Sequence, residues 1–280
     1  MHANSFRPFR VRVLLSVGCA LLGASAIGCT PTAPMEVSEN TWFLYREWDN
    51  KDPAVMRAGL LTLEKTLLAK KLGPDGAGDE RLMRLQSIRR EDITVSPWPS
   101  DRDPAKTLGY AVTRQSKWPV DDFARVQADP DQLAVEPTAT AYTRTFVEPT
   151  DPSCLVGAAC STIRTSNDLT RENATLKITY TLKKDFRWFD LGDGRRALVG
   201  RAWEPMSFRG ATGAILQSFT IDIFLPRPGD VTWRYQSTFS EQEISIATTD
   251  EVQIAVVSGA VDEAFKKADV VIGKRYHGMM

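Results

Sequence analysis

The chain has 280 residues, 42% of them hydrophobic and 9% aromatic. That is enough for one large domain or two modest ones, and it excludes a wholly disordered chain. The 35 basic and 35 acidic residues balance and no polybasic cluster stands out, so the charge carries no footprint for nucleic acid or for anionic headgroups.

Residues 1–12 carry Arg7, Arg10 and Arg12 and no acid, and residues 13–27 are an apolar run of small and branched side chains. This is the pattern of an export signal, and it is shorter than the roughly 20 residues a bilayer span needs. Two cuts fit. Ala24-Ser25-Ala26 matches an ordinary secretory cut, which would release a free protein. Ala26-Ile27-Gly28-Cys29 resembles the signal of bacterial lipoproteins, which prefers Leu where Ala26 stands. That resemblance implies that Cys29 becomes the first residue and carries the lipid. Cysteine usage agrees: Cys19 leaves with the signal, Cys154 and Cys160 can pair, and Cys29 is otherwise an odd cysteine in an oxidising compartment. The resemblance implies a place in the bacterial cell envelope and the membrane as a partner, held through the anchor. Thr30, where many inner-membrane lipoproteins carry Asp, points to the outer membrane.

Residues 29–40, with Pro31 and Pro34, read as a tether of about 30 Å, and residues 41–280 as a single α+β domain. The domain opens on a helical part, 41–91. Trp42, Phe43, Tyr45 and Trp48 form either an aromatic belt against lipid headgroups or the buried face of a short docked helix; core filling is the commoner use of such clusters. Asp52 is an N-cap candidate before Pro53, and Met56, Leu60, Leu63 and Leu67 form a helical stripe that Gly73 can end. Residues 73–78 read as a turn. Residues 81–90 fit a helix or a strand equally.

Eight of the 16 prolines lie in residues 92–153, which predicts irregular structure around short edge strands at 107–113 and 139–146, pinned by Trp98 and Trp118. So long a loop region is a candidate binding surface or lid, or an irregular packed cover. Asp121-Asp122 and Asp129-Pro130-Asp131 read as acidic loops. Cys154 and Cys160 bracket five residues; the spacing suits a structural disulfide rather than a redox C-x-x-C pair.

Residues 154–280 predict a sheet and a terminal helix. Leu176, Ile178, Tyr180 and Leu182 alternate with polar residues in a half-buried strand. Residues 186–191 run into Gly192-Asp193-Gly194, and 196–203 return as a hairpin. Phe219, Ile221, Ile223 and Leu225 mark one face of the next strand; Val231, Trp233, Tyr235 and Phe239 mark another, and Ile244 and Ile246 a short final one. Thr248 and Glu251 can form a capping box for a helix from 250 to 272, which Gly259 interrupts, allowing close packing, and Gly273 can end.

The predicted fold is therefore α+β: an antiparallel curved sheet packed against a long C-terminal helix, with N-terminal helices and a proline-rich irregular middle. Over about residues 175–273 this order resembles the helix-grip fold of steroidogenic-acute-regulatory-related and pathogenesis-related lipid-binding domains. That resemblance implies a sheet curled around the last helix with an apolar cavity between them. It rests on element order, so it carries over no ligand residues.

Catalytic signals are sparse. Beyond the signal the sole histidine is His277, near a terminus where fraying is the rule, and no phosphate-binding loop, nucleophile elbow or zinc spacing occurs. Asp190 and Asp193 suit a hairpin turn better than a calcium loop. Arg187, Arg195, Arg196, Arg201, Arg209 and Arg234 suit a solvated sheet face, the alternative being a convergent cluster for an anionic group. The expectation is a non-catalytic binding or interaction domain without cofactor or metal, its partner an envelope protein or an apolar ligand. Two alternatives stand beside it: a carrier of a lipid or other apolar ligand in a helix-grip cavity, and a carboxylate-based hydrolase.

Overall fold

The strands of this chain carry apolar side chains at alternate positions, and the computed structural model joins them into one antiparallel sheet with helices on both faces. It describes residues 32–70, 82–172, 177–244 and 249–279. Cys29 and the signal, Gly73 with the turn to Gly78, Leu176, Ile246 and Thr248 lie outside the described residues.

The order is α1 (Val37–Arg46), α2 (Pro53–Ala69), β1 (Leu82–Leu85), β2 (Leu108–Ser116), α3 (Val120–Ala128), β3 (Ala139–Glu148), β4 (Thr162–Glu172), β5 (Lys177–Gly192), β6 (Arg195–Trp203), β7 (Phe208–Arg209), β8 (Gly213–Arg227), β9 (Val231–Ile244) and α4 (Asp250–Tyr276). In space the strands run β1-β2-β9-β8-β6-β5-β4-β3, with β7 beside β8. This is the α+β helix-grip-like arrangement expected from the order of elements.

The two faces differ. Phe219, Ile221 and Ile223 of β8 and Trp233, Tyr235 and Phe239 of β9 pack under α1 and α2 in one continuous core. Asp52 caps α2 through the Ala54 amide, Pro53 opens it, and the stripe from Met56 to Leu67 is fully buried. Trp42, Phe43, Tyr45 and Trp48 are buried in the same core, so they fill the interior of a docked helix and form no surface belt. The helix begins at Val37, and Ala33, Val37 and Asn40 are buried, so residues expected at the end of the tether are folded onto the sheet.

On the opposite face α4, about 40 Å long at about 1.5 Å per residue, crosses the sheet with α3 beside its C-terminal end. Here the apolar side chains fall into three separate clusters. Thr249 caps α4, its hydroxyl accepting from Val252 N. Gly259 has nothing near its Cβ position, whereas a Cβ on Gly273 would meet Trp118 at 3.2 Å. Close packing is therefore at Gly273, and the helix continues past it to Tyr276.

Several expected elements change. The 107–113 strand is interior, paired with both β1 and β9, because its prolines flank it and leave its amides free to bond. The 139–146 strand is at the edge. Residues 82–85 are a strand. Asp121 and Asp122 open α3, where the helix dipole favours them, rather than sitting in a loop. The strand at 176–183 and the run at 186–191 are one 16-residue strand, β5, and Ile244 ends β9 instead of starting a new strand. β4 escaped notice because two of its inward positions are Thr165 and Asn167; Asn167 is satisfied by Leu182 O at 2.9 Å and by Arg144 Nε at 2.8 Å.

Candidate functional site

The three clusters on the α4 face stay apart because a cavity of about 220 Å3 lies between the sheet and the helix. Its two sides differ in chemistry. The helix side is apolar: Val252, Val256, Val257, Ala260, Val261 and Ala264 line it. The sheet side is mixed and carries most of the polar groups: Ser218, Thr220 and Asp222 from β8 and Gln236, Thr238 and Gln242 from β9, beside Leu182, Phe186, Ala202 and Ile215. Strand alternation explains this. Phe219, Ile221 and Ile223 point to the α1 and α2 side, so the even-numbered residues between them face the cavity.

Charged groups stand at one flank. Glu136, from the segment before β3, accepts from Arg171 Nη2 of β4 at 2.9 Å and from Lys184 Nζ of β5 at 3.3 Å. Burial alone would raise the Glu136 carboxyl, but the two cations outweigh it and hold it near 2. Arg171 lies over the Tyr180 ring at 5.8 Å, and its side chain is one-third exposed. Deeper in, Arg234 of β9 is buried beneath Phe265 of α4, its guanidinium 3.8 Å from the ring centre, and donates to Phe265 O at 3.3 Å. Burial lowers Arg234 to about 10 and raises Asp222, four rows away from Glu204, to about 6; each partly offsets the other.

Glu204, the residue after β6, is different. It is 3% exposed and lines the cavity, yet its Oε2 has no hydrogen-bond partner. Burial pushes its carboxyl up to about 8, with a bond from Ser218 and the more distant Arg171 and Lys184 pulling weakly the other way. On the neighbouring strands Gly200 leaves room that Phe186 occupies; a Cβ there would sit 2.7 Å from that ring. Tyr110, raised to about 12 by burial, and Tyr180 complete this end.

The residues singled out from sequence fall mostly elsewhere. Cys154 and Cys160 are bonded to each other beside the Trp118 cluster, outside the cavity lining. The six arginines do not converge. Arg187 donates to Trp48 O, Arg195 pairs with Glu64, Arg209 with Glu243, and Arg196 lies over Trp188. Arg201 and Arg234 are buried rather than solvated, the first on Asp185 at 3.1 Å, because helices cover both faces of the sheet. Asp190 Oδ1 accepts from Gly192 N, and Asp193 and Gly194 have positive φ, so this pair builds a hairpin turn. His277 is not frayed: it stacks on Trp118 at 4.2 Å and bonds Asp122 at 2.6 Å. Within 92–153, Gln127, Gln132, Val135, Glu136 and Thr138 line the cavity, while Trp98 packs on Phe219 as cover.

Glu204, Glu136, Arg171, Lys184 and Asp222 were not anticipated. One signal was present: a buried-looking strand in which Asp222 separates Ile221 from Ile223. Among the described residues no cluster of His, Cys, Asp or Glu could hold a metal ion, and no helix is long and apolar enough to cross a membrane.

No family model and no curated protein matches this chain. Among solved structures it is similar to a STAR-related lipid transfer protein from Xanthomonas axonopodis, at 13% identity and a TM-score of 0.42, over 60% of this chain and 86% of that one. It is also similar to an aromatase/cyclase from Streptomyces sp. R1128, at 13% identity and a TM-score of 0.42, over 62% and 99% of the two chains. A START superfamily protein from Mycobacterium smegmatis aligns at 7% identity with a TM-score of 0.38, over 59% and 97%. Likenesses of this size transfer neither ligand nor activity.

Proposed function

We propose that this protein binds a small amphipathic molecule between α4 and the sheet. The observation that carries the reading is the two-sided cavity: an apolar helix wall facing a strand floor that carries most of the polar groups, inside a domain whose other sheet face is filled without a break. A wholly apolar ligand would leave Glu204 Oε2 and Asp222 Oδ1, which have no partner on the protein, still unpaired, at a cost of about 1–3 kcal/mol for each buried polar group. A polar ligand would waste the valine and alanine wall. The ligand that fits has one face of each kind. This narrows the apolar-ligand carrier expected from the order of elements.

The hydrolase reading has no support in the geometry. Glu204 and Asp222 both have raised carboxyls, but the β6–β8 register puts them four rows apart, about 13 Å at about 3.3 Å per residue. A glycosidase pair works at about 5–9.5 Å.

The reading is tested with N,N-dimethyl-2-naphthylamine, a neutral two-ring dye. The purified protein should bind it saturably with a blue-shifted emission. Ala264→Trp, which fills the helix side, should abolish binding while thermal unfolding stays cooperative. Equal binding by both proteins would place the dye elsewhere and remove the reading.

We also propose that Cys29 is lipidated and holds the domain at the bacterial envelope, on the outer membrane. Its support is the odd cysteine and the Ala26-Ile27-Gly28-Cys29 pattern. Cys29→Ser should abolish incorporation of labelled fatty acid and move the protein out of the membrane fraction; unchanged fractionation would sink the proposal.

A further inference from the structure

Glu204 is a carboxyl group with no counterion. The nearest cations that act on it, Arg171 and Lys184, are both committed to Glu136. Its own strand neighbours supply little. Its backbone amide bonds Ser218 O at 3.3 Å, and Ser218 also bonds the side chain. Glu204 lines the cavity, and its buried Oε2 atom has no partner on the protein. The groups in electrostatic reach of it are Tyr45 of α1, Tyr110 of β2, Arg171 of β4, and Tyr180 and Lys184 of β5; Glu136 and Asp222 line the same cavity, and the α4 wall offers valines, alanines and Gln253, and no charge.

An ionised carboxylate without a partner is very costly at such a site, so the group stays neutral. A neutral carboxyl has one O–H to donate, and a buried donor needs an acceptor. Nothing on the protein takes the free side. Arg171 and Lys184, whose charges reach this site, also disfavour an ammonium group there, which could otherwise have ionised the acid.

We propose that Glu204 is the polar anchor of the cavity: as a neutral carboxyl it donates a hydrogen bond to an uncharged acceptor oxygen of the ligand, a carbonyl, ether or hydroxyl. The ligand class becomes an uncharged amphipathic molecule with an oxygen acceptor at the end that reaches β6. This rests on the cavity-binding reading above and goes beyond it by fixing the head-group chemistry.

The test compares three probes of one ring system on the intact protein. The first is 6-propionyl-2-dimethylaminonaphthalene, whose ketone accepts a hydrogen bond. The second is N,N-dimethyl-2-naphthylamine, which lacks the ketone. The third is 2-naphthylmethylamine, which is a cation at neutral pH. The proteins are wild type, Glu204→Gln, which keeps a donor, and Glu204→Leu, which does not. Dissociation constants are measured from pH 7 to 9.5, above the range in which Asp222 changes charge.

The ketone should bind wild type about tenfold more tightly than the parent ring, the size expected for one buried hydrogen bond. That advantage should hold at pH 7 and fall away above about 8, where Glu204 ionises. Glu204→Gln should keep the advantage at every pH, and Glu204→Leu should lose it at every pH while still binding the parent ring. If the ketone and the parent ring bind alike in wild type, or if Glu204→Leu keeps the preference, the anchor role is wrong although the cavity binds. If the cation binds best and the preference disappears in Glu204→Gln, Glu204 acts as an ionised partner and the proposal is overturned. If none of the probes binds, it is the cavity-binding reading that has failed.

Discussion

Replacing Glu204 by Gln should stabilise the free protein, and by an amount that depends on pH. In the unfolded chain this carboxyl ionises near 4.5; in the fold, burial delays ionisation to about 8. Between those values the folded state holds a proton that the unfolded state has lost. Stability therefore falls as pH rises through this window and levels off above it. The slope approaches about 1.4 kcal/mol per pH unit, which gives a cost of about 3 kcal/mol at pH 7. Gln is nearly isosteric with the neutral acid and has no such cost. Other titrating groups are common to both proteins and cancel in the difference. For a domain of this size about 1 kcal/mol corresponds to about 2–4 °C in Tm. The Tm of Glu204→Gln minus that of wild type should therefore grow by about 6–12 °C between pH 4.5 and 7, then flatten above about 8. Calorimetry of ligand-free protein across this range measures it. Parallel Tm curves would show that Glu204 is not the buried, uncompensated acid that the fold places at the cavity.

Glu136 should act in the opposite direction. Its carboxyl is held near 2 by Lys184 and Arg171 against the effect of burial, so its contribution is complete above about 4.5 and is lost as pH falls toward 2. Glu136→Gln should lower Tm at neutral pH and reduce the acid-induced loss seen in wild type, by melting curves between pH 2 and 6. Leu60→Ala, in a fully buried position of α2 beneath the sheet, should cost about 2–5 kcal/mol in urea unfolding, because α1 and α2 are part of the core; a cost below about 1 kcal/mol would mean they are an appendage. The double change Cys154→Ser and Cys160→Ser, which opens a short loop, should cost about 2 kcal/mol in the same assay and leave dye binding unchanged, since neither residue lines the cavity.

Where the sequence was legible, one local signal matched one structural cause. Asp52-Pro53 and the stripe from Met56 to Leu67 specify α2 outright, and Gly192-Asp193-Gly194 specifies the hairpin through its positive φ angles. The helix-grip order was visible because strands and a long final helix each have one apolar face. The site was not visible, for a physical reason. Alternation along β8 shows an apolar and a polar face, and polar faces usually meet water. Here they meet a cavity, which depends on α4 folding back across the sheet. Thr165 and Asn167 hid β4 in the same way, being polar yet buried and bonded. Prolines 119 and 130 drew attention from α3, which fits between them. Glu204 follows a strand end and looks like an ordinary surface acid until the register with Ser218 turns it inward.

Native mass spectrometry of the protein purified from its own cells in mild detergent tests the central claim most directly. The account predicts one small molecule bound per chain, uncharged and amphipathic with an oxygen acceptor, and absent from Ala264→Trp prepared in parallel. Wild-type protein that is free of any such molecule, and that also takes up neither naphthalene dye, would contradict it.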